Sequence, residues 1–177
     1  ASQPFIMQGR FQREGAVVSK TMSTRLIDPY GRTVEYLRLS VTDRCDLRCF
    51  YCLPGDYRDF SEPKEWLTFD EIERVIRAYA SLGVQRVRVT GGEPLVRKNL
   101  PALVTRLSGI PGIEDLSLST NAVSLTRQAT ALKTAGISRI NVSLDSLRTD
   151  RFKNITKGNL DKVIDGLMSA KLAGFSP

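Results

Sequence analysis

The sequence predicts an α/β fold in which parallel strands alternate with helices. Two patterns recur in turn along the chain: short segments that alternate apolar and polar residues, and longer segments with apolar residues at helical spacing. Such alternation favours a parallel sheet whose strands are joined by right-handed crossovers. About four β/α units fit into the 177 residues. A closed barrel needs eight units over about 250 residues, so we expect an incomplete (β/α) barrel.

Four segments are predicted to be strands because each alternates apolar and polar side chains. They span residues 37–42, 84–90, 115–120 and 139–145. Loops that follow parallel strands gather at one edge of the sheet, where functional residues of such folds lie. The residues after each strand are therefore the first place to look for a site.

Four helices are predicted between and after these strands. The first begins at a capping box formed by Thr68 and Glu71, whose side chains satisfy free backbone N–H groups. The third spans residues 126–136. Glycines that suit helix ends follow the four segments: Gly83, Gly109, Gly136 and Gly174. Apolar stripes are expected to face the core: Ile72, Val75, Ile76, Tyr79, Leu103, Val104, Leu107, Leu160, Val163, Ile164, Leu167 and Met168.

The composition limits the possible partners. The chain carries 26 Lys and Arg against 19 Asp and Glu, a net charge of +7, which suits an anionic partner such as a nucleoside triphosphate. No basic run interleaved with aromatic residues favours nucleic acid, and no apolar run approaches the length of a membrane-spanning helix. Residues 1–24 lack periodicity and are expected to be a disordered leader before a core domain over residues 25–177.

The most informative motif is a C-x3-C-x2-C run that contains all the cysteines of the chain, Cys45, Cys49 and Cys52. Three thiolates at this spacing suit an iron–sulfur cluster with one iron left open, while structural zinc usually takes four ligands. The chain has no histidine to complete a zinc site. A disulfide would leave one thiol over, and spacings this short rarely allow good bridge geometry. Zinc or a redox role nevertheless remains an alternative.

Closely spaced free thiols indicate a reducing compartment, so the cytoplasm is expected, or the mitochondrial matrix if the leader is a transit peptide.

The cysteine spacing, the aromatic Tyr51 before the third cysteine and the GGEP sequence at residues 91–94 resemble the radical S-adenosylmethionine (SAM) enzymes. The resemblance implies a partial barrel, usually of six units, of which this chain would hold about four. It also implies a [4Fe–4S] cluster on the three cysteines. The open iron of this cluster would bind SAM, and transfer of an electron from the cluster would cleave the bound SAM. Tyr51, Gly92 and Ser143 would contact SAM. A side chain at Gly92 is then expected to block SAM while sparing the cluster.

Three further segments resemble the GTP 3′,8-cyclase family of molybdenum cofactor biosynthesis, at residues 38–45, 88–94 and 140–145. By this resemblance Arg38, Arg88 and Ser119 would contact GTP. The reaction would be a radical attack of the ribose 3′ carbon on guanine C8. No residue of this chain is assigned as catalytic in its own right. Another radical SAM enzyme acting on a peptide or small molecule, or a non-catalytic iron–sulfur module, remains open as an alternative.

The same resemblance implies an electron donor and a possible homodimer, in addition to GTP. The family carries a second [4Fe–4S] cluster on C-terminal cysteines, and this chain has no cysteine after Cys52. These 177 residues alone are therefore expected not to cyclise GTP. Two groups of polar residues lie near these motifs. Arg44 and Arg48 would either stabilise the cluster or be solvated. The hydroxyls and amide at residues 119–121 are expected to point towards the same edge of the sheet as the cysteine run.

Overall fold

The protein is described here from a computed structural model, which covers residues 25–52, 54 and 56–176. The predicted leader over residues 1–24 lies outside these residues. Four strands form one parallel sheet in the order β1-β2-β3-β4. The strands are β1 Tyr36–Ser40, β2 Arg86–Thr90, β3 Asp115–Thr120 and β4 Arg139–Val142. The predicted α/β fold with an open parallel sheet is confirmed.

Five α-helices accompany the sheet in the described part of the chain, which is one more than predicted. They are α1 Phe69–Ser81, α2 Leu100–Ser108, α3 Ala129–Ala135, α4 Thr149–Thr156 and α5 Leu160–Leu172. The missed helix is α4, which buries only Phe152 and Thr156 and is otherwise polar apart from the half-buried Ile155. Two buried positions in eight residues are too few to produce a recognisable apolar stripe. The predicted third helix divides into a 3₁₀ turn, Leu125–Arg127, followed by α3.

The predicted start of α1 is confirmed in detail. The Thr68 hydroxyl accepts from the Glu71 N–H at 3.3 Å, and the Glu71 carboxylate accepts from the Thr68 N–H at 2.7 Å. Two orphan donors at the helix N-terminus are thereby satisfied. The helix ends at Ser81, and Gly83 follows in a left-handed conformation at φ +96°. Local sequence therefore sets both ends of this helix.

The predicted core stripes are only partly buried. Ile72 and Ile76 are buried in α1, whereas Val75 and Tyr79 are 41% and 37% exposed. In α5 the buried positions include Val163, Gly166 and Ala170. Ile164 and Met168, predicted as core, are instead exposed at 37% and 56%. Helical spacing identifies an apolar stripe, but only a packed neighbour buries it, and nothing in the described residues covers this side of either helix.

The two faces of the sheet differ completely in character. One face packs against the helices, and its apolar side chains, such as Val87, Val89 and Leu118, are fully buried. The other face carries polar side chains from all four strands, because period-2 alternation sends every second residue to that side. These residues are Arg38, Ser40, Arg86, Arg88, Thr90, Asp115, Ser117, Ser119, Arg139 and Asn141. We call this surface the polar face.

Among the described residues, none of the helices has both the length and the apolar character that a membrane-spanning helix needs.

Candidate active site

The cysteine loop follows β1 and is anchored at both its backbone and its side chains. Leu47 is 8% exposed and belongs to the core. The N–H groups of Arg48 and Phe50 donate to the carbonyls of Thr156 and Ile155, at 2.9 and 3.0 Å. The end of α4 therefore holds the loop that carries the three cysteines. Sequence analysis missed this support because it missed the helix.

The three thiols are free, as the cluster prediction requires. Cys45 and Cys49 are half-buried and Cys52 is exposed. Burial is the main cause that raises the pKa of both the Cys45 and the Cys49 thiol. A thiolate is thus disfavoured until a metal ligates it, and ligation removes the proton. Within the described residues no group of three acidic or cysteine side chains is arranged around one ion. A cluster would spread three thiolates over three irons, so the predicted cluster does not require the three thiols to converge on one ion.

Arg44 and Arg48 stabilise the loop itself, which neither predicted alternative described. Arg48 donates from Nη1 to the carbonyls of Cys45 and Leu47, at 2.7 and 2.8 Å. Arg44 donates to the Ser61 carbonyl at 3.4 Å and lies 5.9 Å from the centre of the Trp66 ring. Both guanidinium groups satisfy backbone oxygens that the irregular loop leaves without partners.

The GGEP turn after β2 packs directly against the chain that leads to Cys45. Gly92 N–H donates to the Thr42 carbonyl and Glu93 N–H to the Arg44 carbonyl, each at 2.8 Å. A Cβ atom at Gly92 would lie 2.5 Å from the Arg44 oxygen and 2.6 Å from the Asp43 oxygen. The structure therefore predicts the opposite of the expectation that a side chain here would spare the cluster. It would collide with the backbone one residue before Cys45.

Glu93 is the main buried residue of this site to which the sequence alone assigned no role. It is 1% exposed and accepts three hydrogen bonds: from the Thr120 hydroxyl at 2.7 Å, the Asn121 N–H at 2.7 Å and the Leu95 N–H at 3.0 Å. Burial raises the pKa of this carboxyl, while the three donors act in the opposite direction. The only signal in the sequence was an acidic residue within an otherwise Gly- and Pro-rich turn. Glu93 joins the loops that follow β2 and β3.

We expect Glu93→Gln to lower the free energy of unfolding by about 1–3 kcal/mol, the cost of one unsatisfied buried group. Both carboxylate oxygens accept hydrogen bonds, and the amide nitrogen of glutamine would face one of these donors. Anaerobic urea denaturation measures the change. Glu114→Gln is the matched control because Glu114 is exposed and its remaining oxygen still accepts from Gln85. Equal stability of the two variants would contradict the role of Glu93.

The polar residues at the end of β3 do not all point to the open side of the site. The Thr120 hydroxyl turns to Glu93 and accepts from the Ala122 N–H at 3.0 Å, so that part of the prediction was wrong. Thr120 falls on the helix-covered face of the sheet because it alternates with Ser119. The Asn121 amide does reach the cysteine loop, where it donates to Asp46 Oδ1 at 2.7 Å and lies 3.8 Å from Cys45 Sγ.

The residues predicted to contact SAM come from three different loops at the same edge of the sheet. The Tyr51 hydroxyl donates to Asp145 Oδ1 at 2.9 Å, which ties the cysteine loop to the segment after β4. Ser143 is exposed two residues earlier, and its N–H donates to the Thr120 carbonyl at 2.9 Å. β4 ends at Val142, three residues before the predicted end. Gly92 is exposed beside the cysteine loop.

The residues predicted to contact GTP lie on the polar face. Arg38 and Arg88 are register partners on β1 and β2, and Ser119 lies on β3. Arg88 donates weakly to Ser117 Oγ at 3.4 Å and lies 5.7 Å from the Tyr36 ring centre. In the described part of the chain neither Arg38 nor Arg88 forms an ion pair, whereas Arg86 and Arg139 on the same face pair with Glu35 and Asp115. Like charges directly opposite each other destabilise a sheet, so this pair favours an anionic ligand.

The family model described as the radical SAM superfamily matches residues 39–177. Three solved structures share the fold: SuiB of Streptococcus suis, bound to S-adenosylmethionine, HydG, a maturase of the [FeFe]-hydrogenase, and methylornithine synthase. SuiB has a TM-score of 0.68 at 20% identity, over 80% of this chain and 32% of that one. HydG has a TM-score of 0.64 at 16% identity, and the match covers 78% of this chain and 33% of HydG. Methylornithine synthase has a TM-score of 0.62 at 14% identity, and the match covers 87% of this chain and 44% of that enzyme.

Curated relatives are more similar in sequence. GTP 3′,8-cyclase of Pelotomaculum thermopropionicum is 54% identical over 85% of this chain and 46% of its own length. The enzymes of the same name from Hydrogenovibrio crunogenus and Geobacter sulfurreducens are 49% and 46% identical, each over 86% of this chain. Those matches cover 46% and 47% of the relatives. The chain thus spans about half the length of the curated relatives it matches.

Proposed function

We propose a specific reaction for this chain, which belongs to the radical SAM superfamily because the model of that family matches residues 39–177. Its cofactors are accordingly a [4Fe–4S] cluster and SAM. The proposed function is that of GTP 3′,8-cyclase, which converts GTP to (8S)-3′,8-cyclo-7,8-dihydroguanosine 5′-triphosphate for molybdenum cofactor synthesis. Support comes from relatives of that name at 46–54% identity. The single structural observation that carries it is that Arg38 and Arg88 lie side by side on the polar face and form no ion pair with any residue that the structure describes.

The cysteine loop is proposed to hold the cluster through Cys45, Cys49 and Cys52. When bound, the cluster and SAM would supply a 5′-deoxyadenosyl radical. Gly92 would present its backbone to the methionine end of SAM, as this residue is exposed and its turn is already fixed by hydrogen bonds to the backbone of Thr42 and Arg44. Tyr51 and Ser143 would border the same pocket, held together by the bond between Tyr51 and Asp145. These residues bind and orient, and none of them transfers a proton in the proposal.

The polar face is proposed to bind the triphosphate. Guanidinium groups recognise phosphate oxygens with two parallel hydrogen bonds. Arg38 and Arg88 lie on adjacent strands, about 4.8 Å apart in the hydrogen-bonding direction. Ser119 would add a hydroxyl from β3 near the same edge. The bound anion would offset the repulsion between the two arginines, so substrate binding and local stability reinforce each other.

The remaining partners are part of the same proposal. An electron donor must reduce the cluster, and a homodimer and a cytoplasmic location are retained as hypotheses. A second cluster would be needed on cysteines outside this chain, because all its cysteines belong to the one run. That these 177 residues alone do not cyclise GTP stays a prediction.

Two measurements on the anaerobically reconstituted protein test the proposal. SAM is expected to change the electron paramagnetic resonance signal of the reduced cluster. GTP binding is expected to weaken with rising salt, since exposed charges are screened over about 8–10 Å at physiological ionic strength. Arg38→Ala and Arg88→Ala should each weaken it by at least about tenfold, because hydrogen bonds to charged groups contribute about 1.5–3 kcal/mol.

Arg74→Ala provides the matched control because it removes the same charge from the exposed side of α1. Equal GTP affinity of Arg38→Ala, Arg88→Ala and this control would contradict the proposed triphosphate site. An unchanged signal on adding SAM would contradict the proposed SAM site. SAM cleavage that responds to a peptide but not to GTP would favour a different radical SAM enzyme.

A further inference from the structure

Asn121 makes a contact that the proposed function does not use. It follows β3 and is 9% exposed. Its Nδ2 group donates to Asp46 Oδ1 at 2.7 Å and to Cys45 Sγ at 3.8 Å, residues that are 75 and 76 positions away in sequence. An amide NH2 group carries two donors, so it can serve both acceptors at once.

The surrounding structure fixes this amide in one orientation. Asn121 Oδ1 accepts from the Val123 N–H at 3.0 Å, which assigns the amide oxygen and leaves the nitrogen to face the cysteine loop. The Asn121 backbone N–H is held by Glu93 Oε2 at 2.7 Å. Burial and these two bonds leave the side chain little freedom to turn away. The contact is therefore built into the fold through the buried Glu93.

The contact matters because of the charges around Cys45. Asp46 is the next residue, and its Oδ1 lies 4.0 Å from Cys45 Sγ. A thiolate ligand and this carboxylate would repel each other, and adding an electron to the cluster would increase the repulsion. The Asn121 amide lies against both anions. A donor to a cluster sulfur stabilises the more negative, reduced state.

We propose that Asn121 is a positioning residue that raises the reduction potential of the cluster by donating from Nδ2 to Cys45 Sγ and by shielding Asp46. The inference rests on the proposed cluster at Cys45, Cys49 and Cys52. The step concerned is the transfer of one electron from an external reductant to the cluster. Outer-shell partners of metal ligands commonly change affinity or activity by about 10–100-fold. A buried asparagine that only caps the turn after β3 would leave the potential unchanged.

Asn121→Ser tests the inference with little risk to the fold. The serine hydroxyl can still accept from the Val123 N–H, as in related turns, but it no longer reaches the sulfur. We expect the reduction equilibrium to shift about tenfold towards the oxidised cluster, which is a potential lower by about 59 mV for one electron. The measurement is an anaerobic redox titration with dithionite, followed by electron paramagnetic resonance, at equal iron content. Asn154→Ser, the same substitution at an exposed position of α4, is expected to leave the potential unchanged.

Asp46→Asn provides the opposite test, because it removes the anion and keeps the Asn121 donor. Its potential is expected to rise. A wild-type protein that takes up no iron would refute the proposed cluster and leave nothing for Asn121 to tune. Normal iron content with an unchanged potential in Asn121→Ser would overturn the inference alone. If Asn121→Ser fails to load iron, an unchanged or lower potential in Asp46→Asn overturns it instead.

Discussion

Replacing any one of Cys45, Cys49 and Cys52 by alanine is expected to abolish cluster assembly. The wild-type protein should take up about four irons per chain on anaerobic reconstitution, and each single variant close to none. The reason is that the chain has no other cysteine and no histidine to replace a lost ligand. Iron and sulfide analysis, together with the visible absorption of the cluster, measures the effect.

Asp56→Ala is the control for the cysteine variants, since Asp56 is an exposed residue of the same loop. It should load iron normally. Stoichiometric tight zinc in the wild type, with no uptake of iron, would contradict the cluster. A variant with only two cysteines that still held four irons would show that the third thiol is not a ligand.

Gly92→Ala is expected to disrupt the cysteine loop, and with it both iron retention and SAM binding. The new Cβ atom would meet the Arg44 and Asp43 carbonyl oxygens at 2.5 and 2.6 Å, a separation that side chains do not tolerate. These atoms belong to the backbone, so relief requires the chain before Cys45 to move. Overpacking of this kind costs about 1–3 kcal/mol. Thermal unfolding and iron content after gel filtration measure the two effects.

Gly109→Ala is the matched control for the effect of backbone crowding. Its Cβ would lie 3.6 Å from the nearest atom, the Thr105 carbonyl oxygen, and its φ of −85° suits alanine. This variant should be neutral or slightly more stable, because alanine restricts the unfolded chain. If Gly92→Ala lost SAM binding but kept its iron and its stability, the glycine would serve the ligand alone, as the sequence first suggested.

The sequence alone predicted the elements whose signals are local. A strand is recognised by period-2 alternation and α1 by the pairing of Thr68 with Glu71, both of which act over a few residues. The C-x3-C-x2-C run predicted a cluster loop directly after β1, and the loop lies there. The helix α4 was missed because it has two buried residues in eight, which carry no recognisable period.

Burial and side-chain partners depended on tertiary structure. Val75 and Met168 have the spacing of core residues, yet they are exposed because nothing in the described residues packs on them. Thr120 and Ser119 are neighbours in sequence, but alternation puts them on opposite faces, where Thr120 meets Glu93. A periodic pattern shows which residues share a face of a helix or strand. Whether those residues are buried, and which side chains they contact, depends on the other segments that pack against that face.

Spacing within single segments encodes the parallel α/β order, the cysteine run and the GGEP turn, so these three features could be predicted without knowing the fold. The packing of distant segments is what brings Gly92 against the backbone before Cys45 and lets Glu93 hold Asn121 beside that cysteine. These contacts join segments that lie 28 to 76 residues apart. The contacts of Glu93 have a physical basis in the burial of its carboxylate, which must find hydrogen-bond donors wherever the fold places them.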